Sequence, residues 1–526
     1  MKRRSFIRHA TRTALIPPML NGLGIPAFSN SSLLRGLYQD LEETDQVLVL
    51  VYLGGGNDGL NTVVPVDQFD KLAKVRPDVI LPEGSLLDLD GLDSVKLHPS
   101  LQGFRSLYDE GKLAIVQNVG YPTQNYSHFR STDIWMTAAD SDEVLPTGWL
   151  GRYLDHDFPN FPAGYPNATV PDPLAIEIGY NLSVAFQGPV TGMGMVVADP
   201  EWFYKLVNDV DDPIADTIAG DKLGYIRLIT KQSQVYGEVI RNAAVKVNQQ
   251  VSYPDNNPLA EQLAVVSRLI AGGLQTRLYM VSLHGFDTHD NQVVPSNHLL
   301  GEHANLLKQL SEAVEAFMKD LDFLDTKERV LGATISEFGR RIISNASSGT
   351  DHGAAAPLFI FGEAVNGGLF GTNPVIPVEA GVSDNLEMEF DFRSVYQTIL
   401  NNWFCVSDSA LQSTFGQAFE PIPFIGSSPC LPTSQRELYG SAGLTLIRVS
   451  PNPVESILSI ELLGHGRNVH IDLFDNSGKH LANISCGPIP EGGQQISWDA
   501  NMLSTGSYYV RYRDARYVQS KTFLKV

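Results

Sequence analysis

The sequence predicts an α/β protein that carries a small all-β sandwich at its C-terminal end. An apolar run over residues 46–53 is continuous rather than alternating, which is typical of a strand buried on both faces of a parallel sheet. Further strand-like runs alternate with stretches of helical periodicity, and this alternation favours a doubly wound α/β/α sandwich. After residue 440, short strand-like runs recur between turn signals, which is typical of a β-sandwich of about seven strands.

The main body alternates strands with helices along its length. Strands are predicted over residues 46–53, 113–118, 174–178, 278–283, 330–336 and 358–361. Helices are predicted over residues 225–249, 259–272, 298–321 and 392–404. Several of the strands end in polar motifs, and functional groups in α/β sheets gather at that carboxyl edge.

Length and charge divide the chain into parts. At 526 residues it exceeds what one core normally supports, so two folded units are expected. From Ser441 onward 8 Lys or Arg accompany 7 Asp or Glu, so the acidity of the chain lies in its first 440 residues. We predict a signal segment at 1–29, a main domain at 45–425, a Ser- and Pro-rich linker at 426–440 and a C-terminal domain at 441–526.

Composition narrows the classes of partner. A net charge of −21 argues against nucleic acid, because its phosphates repel an acidic surface. No stretch beyond the N-terminal segment is apolar enough to predict a membrane span. The three cysteines, Cys405, Cys430 and Cys486, fit no metal or redox spacing, and a Cys405–Cys430 disulfide is permitted without being implied.

The N-terminus resembles a twin-arginine export signal. Arg3 and Arg4 are followed by Ser-Phe and then by a weakly apolar stretch over residues 14–27, with cleavage expected near residues 27–30. A basic amphipathic helix is the alternative interpretation. The signal predicts passage into the periplasm.

The loop after the strand at 278–283 has the strongest local signal for a metal site. His284, Asp287, His289 and Asp290 place two imidazoles and two carboxylates within seven residues, which suits zinc or manganese. Asp58 follows the first strand among glycines that allow the backbone to approach an ion closely. A solvated aspartate in a turn is the alternative for Asp58.

Two further motifs offer ligands and a positive charge. Glu337 lies at a strand end beside Arg340 and Arg341, which predicts a second ligand and an anion clamp; a surface Glu–Arg pair is the alternative. Asp351 and His352 are adjacent in a loop rich in Gly and Ser, and this pair alone is weak support for a site.

Ser127 precedes a predicted helix that runs through Ala138. A hydroxyl at this position acts either as a nucleophile beside a metal or as the N-cap of the helix. The neighbouring His128 and Arg130 favour the catalytic interpretation.

Taken together, the motifs at residues 53–61, 127–129, 285–289, 336–340 and 351–353 resemble the DUF1501 family over roughly residues 45–420. That family is similar to the alkaline phosphatase superfamily, which includes sulfatases, so the resemblance implies an alkaline-phosphatase-like α/β/α sandwich. It implies two divalent metal ions, zinc or manganese, and a small anionic ester as substrate. The residues that it assigns are the nucleophile Ser127, the oxyanion-binding Arg340 or Arg341, and the ligands Asp58, Asp287, His289, Glu337 and His352.

The function implied is an exported hydrolase of phosphate or sulfate esters. The alternative is a secreted binding or structural protein that keeps the fold without turnover, and Phe338 favours it because catalytic relatives carry Asp-His at the Glu337-Phe338 position. The spacing of His289 is also short for the superfamily, so His284 or Asn291 is an alternative ligand. No cysteine lies in a Cys-x-Pro-x-Arg setting, which argues against a formylglycine sulfatase.

The C-terminal segment resembles a type IX secretion sorting domain. Three blocks carry the resemblance, at residues 449–453, 471–478 and 503–510. It implies that the secretion machinery recognises both ends of the chain, and that the product reaches the cell surface or the extracellular space via the periplasm. The alternative is a carbohydrate-binding sandwich, which would need exposed aromatic rings such as Trp498 and Tyr509.

Overall fold

The computed structural model describes residues 45–198, 232–233, 235–426, 430, 448–464, 468–475, 479–488, 492–513 and 518–526. The predicted signal at 1–29 lies outside the described residues, as does most of the predicted linker at 426–440. Among the helices of the described ranges, none is long and apolar enough to cross a membrane.

The main body is built on a large sheet, and all six predicted strands are present. The strands are β1 (Val47–Gly54), β2 (Val63–Pro65), β3 (Leu87–Leu89), β4 (Leu92–Leu97), β5 (Leu113–Gly120), β6 (Ala175–Ile178), β7 (Met195–Val197), β8 (Leu278–His284), β9 (Val330–Ile335), β10 (Ala356–Phe361), β11 (Gly368–Phe370) and β12 (Phe390–Asp391). Nine of them form one sheet in the order β11-β5-β10-β9-β1-β8-β6-β7, with β12 beside β5, while β2, β4 and β3 form a small separate sheet.

The helices follow the predicted alternation. They are α1 (Gly59–Thr62), α2 (Phe69–Val75), α3 (Gln102–Asp109), α4 (His128–Thr137), α5 (Trp149–Asp157), α6 (residues 235–244), α7 (Pro258–Ala271), α8 (Glu302–Phe323), α9 (Phe392–Asn402) and α10 (Asp408–Phe415). The predicted helix at 225–249 is seen where it is described, over residues 235–244, and its first part lies outside the described ranges.

Strand β1 shows why the run at 46–53 is continuously apolar. It pairs in parallel with both β8 and β9, so it lies inside the sheet. Leu48 and Leu50 belong to the core on one face, with residues of α4, α5 and α9, while Val47 and Val49 belong to the core on the other face, with residues of α3, α7 and α8. Helices therefore cover both faces, and the predicted α/β/α sandwich is confirmed.

The sheet is mixed rather than purely parallel, which the alternation of strands and helices does not predict. Strand β10 runs antiparallel to both β9 and β5. No helix lies between β9 and β10, and antiparallel neighbours need no helical crossover. The reversed direction matters for function, because the start of β10 lies at the same edge as the carboxyl ends of β1, β5, β8 and β9.

The C-terminal unit has the seven strands that the sequence predicts. They are β13 (Arg448–Ser450), β14 (Ile457–Gly464), β15 (Asn468–Asp475), β16 (His480–Pro488), β17 (Gly492–Asp499), β18 (Gly506–Arg513) and β19 (Val518–Lys525). A three-stranded sheet (β13-β14-β17) and a four-stranded sheet (β16-β15-β18-β19) contribute to one apolar core. Of the two rings that the carbohydrate-binding alternative would need exposed, Trp498 packs against that core, while Tyr509 is 38% exposed.

The disulfide that the sequence only permits is present. Cys405, which follows α9, is bonded to Cys430 across 25 residues of chain. It joins the end of the main body to the first residues of the predicted linker.

Candidate functional site

The candidate site lies where four loops meet at the carboxyl edge of the main sheet. The loops follow β1, β5, β8 and β9, and a fifth segment, at residues 351–354, leads into the antiparallel β10. Backbone hydrogen bonds join this segment to the β9 loop: Gly339 N donates to Ala354 O and Gly353 N donates to Gly339 O. The pairing brings His352 to the same edge as the loop of Asp287.

Three imidazoles converge on the carboxylate of Asp287. The Asp287 Oδ1 atom lies 3.0 Å from His352 Nε2 and 3.3 Å from His289 Nε2, and Asp287 Oδ2 lies 3.3 Å from His128 Nε2. The two Nε2 atoms of His289 and His352 are 2.8 Å apart. His128, Asp287 and His352 form a group in which one ligand atom from each lies within 4.8 Å of the others. We call His128, Asp287, His289 and His352 together the histidine cluster.

The opposite nitrogen of each ring is held by an acceptor. His128 Nδ1 lies 3.0 Å from Glu337 Oε1, His289 Nδ1 lies 2.9 Å from Asp351 Oδ1, and His352 Nδ1 lies 2.8 Å from the carbonyl oxygen of Tyr126. A proton on Nδ1 suits all three contacts, because each partner is a carboxylate or carbonyl oxygen. Each Nε2 faces Asp287, and in metal sites a histidine whose other ring nitrogen donates to a carboxylate or carbonyl presents that atom to the ion.

Glu337 is buried and holds His128 of the cluster through a hydrogen bond. Besides His128, its carboxylate accepts hydrogen bonds from the backbone N–H of Gly55 at 2.7 Å and from the hydroxyl of Tyr52 at 3.1 Å. These contacts place Glu337 on the far side of His128 from Asp287. The structure thus brings the predicted ligand Glu337 to the site, in a position that orients a histidine.

Phe338 closes one side of the cluster. Its ring is buried, with ring-centroid distances of 4.5 Å to His352 and 5.0 Å to His128. Burial lowers the pKa of His352 below its ordinary value and outweighs the opposing hydrogen bonds to Tyr126 and Asp287. His352 is therefore neutral near pH 7, as a metal ligand must be.

Arg340 is enclosed by the loops that it joins. Its guanidinium donates to the carbonyl oxygens of Gly55, Gly56, Thr350 and Phe286, and its Nη2 also donates to Asp287 Oδ1 at 2.8 Å. Although burial raises the pKa of Asp287, the hydrogen bonds from Arg340 and His352 outweigh it and lower that pKa below the ordinary value. The structure places the predicted oxyanion-binding residue where it positions Asp287, and its side chain is only 1% exposed.

Asp58 lies apart from the histidine cluster. It is buried, and its Oδ2 accepts hydrogen bonds from Arg76 Nη2 at 2.5 Å and from Gln292 Nε2 at 2.6 Å. Burial raises the pKa of Asp58, but the charge and hydrogen bond of Arg76 outweigh that effect, so the pKa is lowered overall. The Asp58–Arg76 ion pair connects the first loop to α2 rather than to the other predicted ligands.

Ser127 occupies the N-cap position of α4 without capping it. Its side chain makes no hydrogen bond to the first turn of the helix, and the residue is exposed. It directly precedes His128 of the cluster in the chain. The other candidates point elsewhere: Arg341 stacks over the ring of Tyr126 at 4.9 Å, His284 contacts Tyr52 edge-on, and the side chain of Asn291 donates to Asp290.

The structure brings to the candidate site further residues that the sequence does not predict as ligands. His128 is the clearest, and Asp351 and Tyr126 support the rings of His289 and His352. The Ser-His-Phe motif at 127–129 contains His128, and the imidazole in that motif is the sequence signal for it. The backbone carbonyl of Tyr126 has no sequence signal, because any residue supplies that group.

Gly55 is required where the β1 and β8 loops touch. Its φ is +123°, and a Cβ atom there would lie 2.3 Å from the backbone nitrogen of Asp287. We expect Gly55→Ala to displace Asp287, to lower stability by more than about 1 kcal/mol and to weaken cation binding, as measured by urea unfolding and metal titration. The matched control is Gly91→Ala, which has a φ of +72° but no atom within 4 Å of the added Cβ. Equal cation affinity in the two variants would contradict the steric argument.

Known proteins resemble different parts of the chain. Residues 231–420 match the family described as "Protein of unknown function (DUF1501)", and residues 448–525 match the family described as "Secretion system C-terminal sorting domain". The first match includes the loops of Asp287, Glu337 and His352. No curated protein matches the sequence significantly.

Solved structures show only distant similarity. A protein in the alkaline phosphatase superfamily from Vibrio parahaemolyticus is 10% identical, with 88% of this chain and 82% of that chain covered and a TM-score of 0.33. A sulfatase from Pseudoalteromonas sp. is 11% identical, with 90% and 88% covered and a TM-score of 0.29. PorZ, a type-IX secretion component of Porphyromonas gingivalis, is 16% identical; 17% of this chain and 13% of PorZ are covered, with a TM-score of 0.13. These likenesses carry no argument about activity.

The DUF1501 match covers the motifs at 285–289, 336–340 and 351–353 but not those at 53–61 and 127–129, and the sorting-domain match covers the seven strands of the C-terminal unit. A sorting domain implies recognition by secretion machinery and export to the cell surface or the extracellular space. The chain therefore carries a DUF1501 region followed by a secretion system C-terminal sorting domain, as its motifs indicate.

Proposed function

We propose that this protein is an exported hydrolase of phosphate or sulfate esters that depends on one divalent cation bound by the histidine cluster. The observation that carries the proposal is the convergence of three Nε2 atoms on one carboxylate, with every Nδ1 held by an acceptor. Neutral imidazoles and an ionised carboxylate are the protonation states that metal binding requires.

The residues fit a cation in a second respect. His128 Nε2 is buried and makes no hydrogen bond with the described residues, although Asp287 Oδ2 lies 3.3 Å away. A buried polar atom without a partner is costly, and a bound cation removes that cost. Nitrogen-rich sites with one carboxylate suit zinc better than manganese, which prefers oxygen ligands, so we propose zinc.

Ser127 is the proposed nucleophile. A divalent cation bound beside it would lower the pKa of its hydroxyl and polarise the ester group. The Ser127 oxygen forms a bond to phosphorus or sulfur, the bond to the alcohol oxygen breaks, and the hydroxyl proton ends on the departing alcohol. Water then cleaves the seryl ester and releases phosphate or sulfate.

Asp58 and Arg340 have supporting roles in this proposal. Arg340 fixes Asp287 and the surrounding loops, so it is a positioning residue. The ion pair of Asp58 with Arg76 stabilises the β1 loop instead of supplying a second metal ligand. A single-cation site replaces the two-metal site that the family resemblance implies.

The test is turnover of p-nitrophenyl phosphate and p-nitrophenyl sulfate by the full chain loaded with zinc. We expect Ser127→Ala to lower turnover by a factor on the order of 10³ or more while leaving zinc content and stability unchanged. The matched control is Ser407→Ala, because Ser407 caps α10 through a hydrogen bond from Ala410 N. Its loss costs about 1 kcal/mol and leaves turnover intact. Full turnover in Ser127→Ala would rule out the serine mechanism.

The second candidate is a secreted binding or structural protein that holds one cation without turnover. The packing of Phe338 against His128 and His352 favours it, because an apolar ring stands where a further ligand would be needed. Stoichiometric zinc without hydrolysis of either ester would support this candidate.

We also propose that the predicted signal at 1–29 carries the folded, metal-loaded chain into the periplasm before the sorting domain acts.

A further inference from the structure

A cavity separate from the histidine cluster opens beside the carboxyl ends of β6 and β8. Its volume is about 860 Å³, within the range of roughly 300–1,000 Å³ found for small-molecule sites. Residues of β1, α4, α7 and α8 also line it, including Tyr52, Thr132, Val265 and Leu306. The family motifs account for none of these four lining residues.

Tyr52 connects this cavity to the histidine cluster. Its hydroxyl lies 3.1 Å from Thr132 Oγ1 and donates to Glu337 Oε2 at 3.1 Å. Glu337 in turn holds His128 Nδ1. Tyr52 and Glu337 therefore link the cavity to His128 of the cluster through two successive hydrogen bonds.

The charges of the cavity disfavour an anion. The described residues that line it include the carboxylates of Glu177 and Glu261 and no lysine or arginine. Burial raises the pKa of Glu177 to about 7, and the backbone N–H of Ser183 only partly opposes this shift. A carboxyl with a raised pKa is protonated more readily than an ordinary glutamate, and its protonated form both donates and accepts hydrogen bonds.

The remaining lining mixes amide, hydroxyl and apolar groups. Asn181, Ser183 and Gln309 supply hydrogen-bonding side chains, while Met136 and Met280 supply apolar surface. Tyr180 is 90% exposed and lines the cavity, so it offers a flat ring to an entering molecule. A ligand that matches this surface carries many hydroxyls, has apolar ring faces and has no net charge.

We propose that this cavity binds a neutral saccharide of about two sugar rings. The proposed class of ligand does not depend on whether a cation is bound at the histidine cluster.

The test is saturation-transfer NMR on the full chain in EDTA, so that no cation contributes to binding. The probes are cellobiose, maltose and lactose as neutral disaccharides, and digalacturonate as an anionic disaccharide. We expect saturation transfer to at least one neutral probe and none to digalacturonate. Tyr180→Ala should weaken binding of that neutral probe by about 2- to 10-fold through loss of the stacking ring.

The matched control is Phe129→Ala, because Phe129 is 91% exposed and does not line the cavity. It should bind the neutral probe as the unaltered chain does. Absence of transfer to all three neutral probes at millimolar concentration would overturn the proposal, as would equal binding of digalacturonate or equal effects of the two variants. Saccharide binding without ester hydrolysis would retain this inference and reject only the proposed function.

Discussion

Replacing Asp287 by alanine is expected to reduce bound zinc from about one equivalent per chain to almost none. Asp287 is the one anion that all three imidazoles of the cluster face, and it also neutralises the adjacent Arg340 guanidinium. Without it, three imidazole nitrogens remain beside a guanidinium that has lost its ion-pair partner. That charge repels a cation, so the loss should exceed the effect of removing one donor from a neutral site.

The measurement is metal content by mass spectrometry on the purified full chain after equilibration with zinc. The matched control is Asp290→Ala, which removes an exposed carboxylate three residues further along the same loop. Its zinc content should be that of the unaltered chain. Stoichiometric zinc in Asp287→Ala, or none in the unaltered chain, would reject the cation site.

Replacing the residues that orient the histidines should also lower the affinity for zinc, but by less than the loss of Asp287 does. Glu337→Gln and Asp351→Asn keep the size of the side chain but weaken the acceptor at Nδ1 of His128 and His289. Loss of such a partner typically lowers metal affinity by about 10- to 100-fold. A zinc titration therefore separates Asp287, which contacts the cation directly in the proposal, from residues that only orient its ligands.

The elements of the fold were predictable because their signals are local. A continuous apolar run marks β1 and a helical period marks α8, and each pattern lies within the segment that it describes. The antiparallel direction of β10 was not predictable in the same way. It depends on a connection without a helix between residues 336 and 355, and composition does not separate such a loop from a crossover.

The site was predictable as a set of loops but not as a set of contacts. The motifs containing Asp287, His289 and His352 do meet at one sheet edge. The contacts within the site, however, depend on residues that are far apart in the sequence. Glu337, for example, forms a hydrogen bond with His128 across 209 positions. Asp58 illustrates the limit best: its glycine-rich surroundings indicate an ion site, while its actual partner is Arg76, which directly follows α2, and no local pattern predicts that contact.

Replacing Asp58 by asparagine is expected to destabilise the protein by about 3–5 kcal/mol without emptying the cation site. The guanidinium of Arg76 is fully buried and forms its ion pair with Asp58 Oδ2. Removal of the carboxylate leaves a buried positive charge without its anion. Because the pKa of Asp58 is lowered in the folded state, the ion pair contributes fully above about pH 4 and is lost as the pH falls below that value.

Urea unfolding at pH 7 measures this contribution where it is complete. The control is Asp88→Asn, which removes an exposed ion pair with Lys96 and should leave the unfolding midpoint nearly unchanged. The double variant Asp58→Leu with Arg76→Met should recover much of the loss, because it buries no uncompensated charge. If Asp58→Asn instead keeps its stability and loses zinc, Asp58 is a metal ligand as the sequence predicts, and the single-cation proposal fails.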